Sequence, residues 1–253
     1  MSTTLIEVAP GVHRLGDAVV NFYLMETDEG LVLVDSGLPD HSAVLLDAVA
    51  RVGGDLRAVV LTHGHADHIG LAARALSRTG TTIWVHEADA PLLGGGPDRA
   101  MAYSPPERSM VPYLLRRPKV AWLLAHLEGM GAFNTPPIAT YSTFTDGQVL
   151  EEVPGSPRVV GAPGHTPGSA ILVWPEREVV FTGDALVTHD PTTGRTGPTV
   201  VSRMSTHDGA MALASLDRLA ALGEKGTVLP GHGDPFTAGP RAAAERARAR
   251  GIE

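Results

Sequence analysis

Apolar and polar positions follow two rhythms along this chain, and the rhythm switches at short intervals. Near the N-terminus, "VHRLG", "VVNFYLMET" and "GLVLVDSG" are short apolar, β-branched runs, with Asp28, Glu29 and Gly30 as a turn between the last two. They predict strands. "HSAVLLDAVARVG" then places Val44, Leu45, Ala48, Val49 and Val52 along one face at helical spacing. "LRAVVLTH" predicts a buried strand, "IGLAARALSRTG" a second helix stopped by Gly80, and "TTIWVHE" another strand. Repeated strand, loop and helix predicts α/β layers.

Residues 94–140 interrupt this order. The segment is rich in Gly and Pro and holds Tyr103, Tyr113 and Trp122. It predicts one helix, roughly Lys119 to Glu128, and a shorter one before it. Too short for a core of its own, it reads as an insertion within a single domain spanning residues 1–253. Such a segment serves either as a lid over a binding site or as a structural cap on the sheet. From "FTDGQVLEE" the strands return: "VVGAPGH", "SAILVWP" and "EVVFTGD" each begin or end at a polar turn. "DGAMALASLDRLAALGEKG" predicts an amphipathic helix, "TVLPGHGDP" a strand entering a Gly-rich loop, and "GPRAAAERARARGIE" a last helix. Both halves follow the order strands, helix, strand, His-bearing loop.

Composition narrows the function. Hydrophobic residues make up 43%, enough for a sizeable core. The net charge of −8, with no basic run, argues against a nucleic-acid partner. Bound divalent cations would offset part of that charge locally. The absence of cysteine excludes disulfides, thiolate zinc sites and thiol nucleophiles. "MSTTLIEVAPGVHRL" lacks the charged and apolar regions of a signal peptide, and no run of about 18 apolar residues would span a membrane. A cytoplasmic protein acting on a small molecule is expected.

The densest chemistry lies in "THGHADH", residues 62–68. His63, His65, Asp67 and His68 would desolvate or repel one another unless a metal ion shares them. Three further groups sit where apolar runs end, each beside Gly: His165, Asp184 and His232. Five imidazoles and two carboxylates are too many for one ion and suit two, with a carboxylate bridging. Without thiolates, this donor set favours zinc, with iron or manganese as alternatives. His13, His41, His86, His126, His189 and His207 lack such company and read as ordinary hydrogen-bonded residues.

With these motifs in this order, the sequence resembles the metallo-β-lactamase-fold hydrolase superfamily, over about residues 12–235. "THGHADH" matches its H-x-H-x-D-H signature, and the GH at 164–165, GD at 183–184 and GH at 231–232 match its later motifs. "LVDSG", 33–37, matches another, whose Asp35 would brace the metal loop. The resemblance implies a four-layer αββα sandwich with the site at one edge of two sheets. It assigns His63, His65 and His165 to one ion, Asp67, His68 and His232 to a second, and Asp184 to both. It further implies that a metal-bridging hydroxide attacks a carbonyl, with Asp67 orienting it and moving a proton.

Departures from subfamilies narrow the substrate. Metallo-β-lactamases proper usually lack the bridging Asp that stands here as Asp184. Glyoxalase II enzymes carry a C-terminal helical domain, whereas 21 residues follow His232. Lactonases typically place Tyr where Val187 stands. The expected reaction is hydrolysis of a small ester, thioester or lactone. A phosphodiesterase, or a non-catalytic metal-binding or regulatory protein on the same fold, are the alternatives. Tyr103, Met110, Tyr113, Trp122 and Phe133 are candidates for an apolar pocket, and His189 or Arg195 for a substrate contact.

Overall fold

The computed structural model describes residues 5–253. Seven strands form one sheet in sequential order: β1 (Ile6–Ala9), β2 (Val12–Gly16), β3 (Asn21–Thr27), β4 (Gly30–Val34), β5 (Leu56–Val60), β6 (Thr82–His86) and β7 (Ser142–Phe144). Pairing is antiparallel from β1 to β4 and parallel from β4 to β7. A second sheet contains β8 (Arg158–Gly161), β9 (Ala170–Trp174), β10 (Val179–Gly183) and β13 (Thr227–Pro230), in the order β13-β10-β9-β8. A separate hairpin pairs β11 (Val187–His189) with β12 (Thr196–Thr199).

Side-chain alternation builds the layers. Along β3, Tyr23 and Met25 point into the core between the sheets, while Phe22 and Leu24 point to the outer face. Along β9, Leu172 and Trp174 face the shared core, and Ile171 and Val173 face away. This period of two leaves each sheet apolar on both sides, so helices must cover the outer faces. On the larger sheet the cover comes from α1 (Ser42–Val52) and α3 (Ala72–Thr79), through Leu45, Ala48, Ala72 and Ala75. On the smaller sheet it comes from α7 (Gly209–Ala220) and α8 (Pro240–Arg250), through Leu216, Leu219, Ala243 and Ala247. The result is a four-layer αββα sandwich. Phe22 is fully buried, so truncation to Ala would cost about 3–5 kcal/mol.

Several elements depart from the sequence expectation. The helix expected over 69–80 is two pieces, α2 (Ala66–Ile69) and α3. Gly70 breaks it, because its N–H donates to Gly37 O at 2.8 Å, and a Cβ there would come within 2.6 Å of Leu38 C. β1 and the β11–β12 hairpin were not expected; they are short and carry no run of apolar residues. Conversely, beyond β7 no strand forms until β8; residues 145–157 are turns, with Gly147 and Gly155 at positive φ.

The 94–140 segment holds three helices, α4 (Pro97–Tyr103), α5 (Val111–Arg116) and α6 (Pro118–Gly129). Its inner side packs through Leu123 and Ala132 on Val19, Val20 and Leu38. No helix among the described residues is long and apolar enough to cross a membrane.

Candidate metal centre

The chemistry-bearing residues all lie just beyond the C-terminal ends of strands. Asp35 follows β4, and His63, His65, Asp67 and His68 follow β5. His165 lies in the loop after β8, Asp184 follows β10, and His232 follows β13. Because β4–β5 and β10–β13 run parallel, their C-terminal ends open at the same edge of each sheet. Loops from both sheets therefore meet over one point.

The seven expected ligands come together there. One ligand atom from each of His63, His65 and His165 lies within 4.8 Å of the others. The same holds for Asp67, His68 and His232. Asp184 stands between the two groups: Oδ2 is 3.1 Å from His232 Nε2 and 3.4 Å from His165 Nε2, and Oδ1 is 3.6 Å from His68 Nε2. Asp67 Oδ2 lies 3.7 Å from His68 Nε2 and 3.6 Å from His232 Nε2.

Three of these atoms are buried without a hydrogen-bond partner: His63 Nε2, His68 Nε2 and Asp184 Oδ1. Orphaned polar atoms in a core cost about 1–3 kcal/mol each unless something binds them. Gly231 adds a second sign of fit, since a Cβ there would overlap Asp184 Oδ1 and lie 2.6 Å from His68 Cε1. The donor set, with its unpaired atoms facing one another, fits divalent cations.

A surrounding shell fixes the ring orientations. Asp35, held at a positive φ of 56°, accepts from Thr62 N (2.8 Å), Thr62 Oγ1 (2.8 Å) and His68 Nδ1 (3.0 Å). Both its oxygens are thus engaged, so it braces the loop as the resemblance implied. His232 Nδ1 donates to Val19 O at 2.5 Å, which turns Nε2 towards Asp184. Thr206 Oγ1 lies 3.5 Å from His165 Nδ1. Asn21 Nδ2 donates to Pro230 O and Gly233 O, and Tyr23 OH to Pro230 O, so the larger sheet grips the His232 loop.

Asp89 escaped the sequence reading. It is fully buried, and its carboxylate accepts from Gly64 N (2.8 Å), Thr166 Oγ1 (2.7 Å) and Gly168 N (2.6 Å). It therefore ties the loop carrying His63 and His65 to the loop carrying His165. The signal available in sequence was an Asp three residues past the end of β6, which looks like any helix-start residue.

The electrostatics split the histidines. Burial pulls His63, His65 and His165 below the usual imidazole range. Burial acts on His68 and His232 too, but the Asp67 and Asp184 carboxylates outweigh it, pushing them up to about 10 and about 9 respectively. Burial opposes ionisation of Asp184, yet His232 and His68 hold it well below the usual carboxylate range. Both imidazoles of the second group are thus biased towards the cationic form by the carboxylates beside them.

A cavity of about 260 Å³ opens above this cluster, floored by His65, Asp67, His165, Asp184 and His232. Its walls are mostly apolar, with Met101, Met110, Leu123, Leu127, Phe133 and Met204, and include the hydroxyl-bearing Ser104, Thr192 and Ser205. Met110 and Phe133 were expected there. Tyr103, Tyr113, Trp122, His189 and Arg195 lie outside its lining. Tyr103 is exposed, and Trp122 is exposed and stacks on His126. Tyr113 OH donates to Glu253 O, Arg195 pairs with Glu253, and the His189 backbone N–H donates to His232 O at 3.2 Å.

The chain matches the metallo-β-lactamase superfamily over residues 15–232 and belongs to it. It is 27% identical over 250 residues to the probable metallo-hydrolase YflN of Bacillus subtilis, covering 91% of this chain and 87% of that one. It is 26% identical over 164 residues to the hydroxyacylglutathione hydrolase GloC of Haemophilus influenzae, covering 64% of each. Among solved structures it is similar to TTHA1623 in a di-iron-bound form, with a TM-score of 0.63, 26% identity, and coverage of 96% and 97%.

Proposed function

We propose that this protein is a binuclear metallo-hydrolase that cleaves a small ester, thioester or lactone. His63, His65 and His165 would hold one ion, Asp67, His68 and His232 the other, and Asp184 both. Zinc suits this donor set, and iron is supported by the di-iron form of TTHA1623. Ions held there supply Lewis acidity and make water acidic enough to deprotonate near neutral pH.

The protein's own groups do the rest. Asp35 and Val19 O fix the tautomers of His68 and His232, so that each Nε2 faces inwards. Asp67, part-exposed at the cavity floor, is placed to take a proton from the attacking water and return it to the leaving group. Met101, Met110, Leu123 and Phe133 hold the apolar part of the substrate and exclude water.

One observation carries this reading: seven donor side chains from both sheets converge, and five of them floor a largely apolar cavity. The similarity to a hydroxyacylglutathione hydrolase supports an acyl substrate. A phosphodiesterase reading is less favoured, because among the described residues no lysine or arginine lines this cavity to meet a phosphodiester.

The test is turnover by zinc- or iron-loaded protein on matched chromogenic esters, thioesters, lactones and bis(p-nitrophenyl) phosphate, beside Asp184→Asn. Carbonyl substrates are expected to turn over, with D184N losing most of the rate. Hydrolysis confined to the phosphodiester, metal binding without turnover, or wild-type rates in D184N would refute the reading.

A further inference from the structure

A second and larger cavity, of about 550 Å³, is lined by Arg108, Ser109 and Arg203, the chain neighbours of Pro106, Met110 and Met204 in the metal pocket. Its wall carries four guanidinium groups, those of Arg108, Arg116, Arg117 and Arg203. In a chain of net charge −8, this concentration of positive charge runs against the composition. The two cavities share a partition. Glu107 N donates to Thr206 O at 2.8 Å, and Arg108 N to Arg203 O at 3.0 Å, which zips two segments together. Pro106, Met110 and Met204 of these segments face the metal pocket, while Arg108 and Arg203 face the arginine cavity.

The arginine cavity already holds a carboxylate of its own chain. The Glu253 side chain meets Arg117 Nη2, and Arg195 Nε at 3.0 Å. Its main-chain O accepts from Tyr113 OH at 3.0 Å and from Arg203 N at 2.8 Å. Arg203 also pairs with Glu107. Among the described residues, Arg108 and Arg116 are left without a carboxylate partner. Guanidinium forks match carboxylates and phosphates in shape as well as charge. A cavity with one carboxylate seated and two free forks has room and charge for another anion.

We propose that this cavity is an anion site, and that Arg108 and Arg116 take the carboxylate or phosphate at the far end of the substrate whose carbonyl enters the metal pocket. The substrate is then amphiphilic: an acyl compound with an apolar part against Met110 and Met204 and an anionic end that passes over the exposed Arg108–Met110 edge of the partition. This rests on the hydrolase reading above. Both arginines are exposed, so the interaction weakens as salt rises.

The test has a binding arm and a kinetic arm. Metal-loaded wild type and R108A/R116A are titrated calorimetrically with inorganic phosphate and with succinate, to separate the two kinds of anion. At least one is expected to bind wild type and to lose about tenfold or more in the variant, a change of about 1.4 kcal/mol. Glu253→Gln removes the resident carboxylate and is expected to tighten the same anion; unchanged or weaker binding counts against the site. In the kinetic arm, KM is measured for two thioesters that differ only in a terminal carboxylate or phosphate. Wild type is expected to prefer the charged member, and R108A/R116A to lose that preference. Equal phosphate and succinate affinities in wild type and variant, or equal KM for the two thioesters in wild type, overturn the proposal while leaving the hydrolase reading intact. Anion binding without turnover of either thioester refutes the hydrolase reading and, with it, the substrate half of this one.

Discussion

At the residue scale, two buried aspartates do the bracing, and they differed in how visible they were. Asp35 sits in a recognisable LVDSG motif, and its partners Thr62 and His68 flank the densest histidine cluster. Asp89 sits in "WVHEADAPLL", where nothing marks it, and its partners lie 25, 77 and 79 positions away. Only the folded chain shows that it joins two ligand loops. Asp89→Ala leaves the buried N–H groups of Gly64 and Gly168 unpaired, while Thr166 Oγ1 keeps Ser169 Oγ at 2.8 Å. The substitution is expected to weaken metal affinity about 10–100-fold, as outer-shell losses at metal sites do, and to destabilise the fold by about 1–3 kcal/mol for each donor that finds no water. Metal titration with a colorimetric chelator, alongside thermal melts, checks this; wild-type metal affinity in D89A would contradict it. Gly168→Ala makes the same point from the other side, since its Cβ would lie 2.7 Å from Asp89 Oδ1. The candidate ligands were legible for a physical reason: three imidazoles and a carboxylate within six positions repel or desolvate one another unless a cation shares them.

At the element scale, the inserted helix α6 packs on Val19 through Leu123 and is also tied to the metal floor by a polar link through Asp17. His126 Nε2 on α6 donates to Asp17 Oδ2 at 2.7 Å, and His41 Nε2 donates to the same oxygen at 3.2 Å. Asp17 Oδ1 accepts from Val19 N and Val20 N, and Val19 O in turn receives His232 Nδ1. Burial opposes ionisation of Asp17, but the His41 hydrogen bond and the two backbone N–H groups outweigh it and hold the carboxyl well below its usual range. A depressed carboxyl stabilises the fold fully above its unfolded value, about 3.9, and that contribution is lost as pH falls through the folded value. Asp17→Asn is therefore expected to lose about 1–3 kcal/mol at pH 7, and to show a shallower loss of stability than wild type below about pH 4. Urea melts across pH 2.5–7 measure both. Parallel acid limbs for the two proteins would contradict the linkage.

The same scale shows what patterning conveys. Strands with long apolar runs, such as β3, β4, β9 and β10, were legible, because both their faces are buried. The β11–β12 hairpin was not, because Asp190 and its neighbours Thr192, Thr193 and Ser202 hold it by side-chain hydrogen bonds rather than by apolar pattern. In the insertion, α6 has enough turns to show a rhythm, whereas α4 is a seven-residue helix with no buried residue.

At the scale of the whole molecule, the site exists only because the two sheets are pressed together. The larger sheet supplies four donors from one loop, the smaller supplies His165, Asp184 and His232, and Tyr23 and Asn21 cross from one to the other. Metal bound there bridges the halves of the sandwich, and it binds the folded chain better than the unfolded one. Removal with a chelator is expected to lower the melting temperature, and re-addition to restore it in proportion to ion concentration. Binding also displaces protons from His68 and His232, which sit at about 10 and about 9 without metal. Apparent metal affinity should therefore fall as pH drops from 9 towards 6, most steeply for the second ion.

The most direct measurement is metal stoichiometry. Protein stripped, reloaded with zinc or iron(II), dialysed and assayed by plasma mass spectrometry should retain two ions per chain, and Asp184→Asn should retain fewer. Retention of no more than one ion by the wild type, or of two by D184N, would contradict a pair of cations held in common by the two sheets.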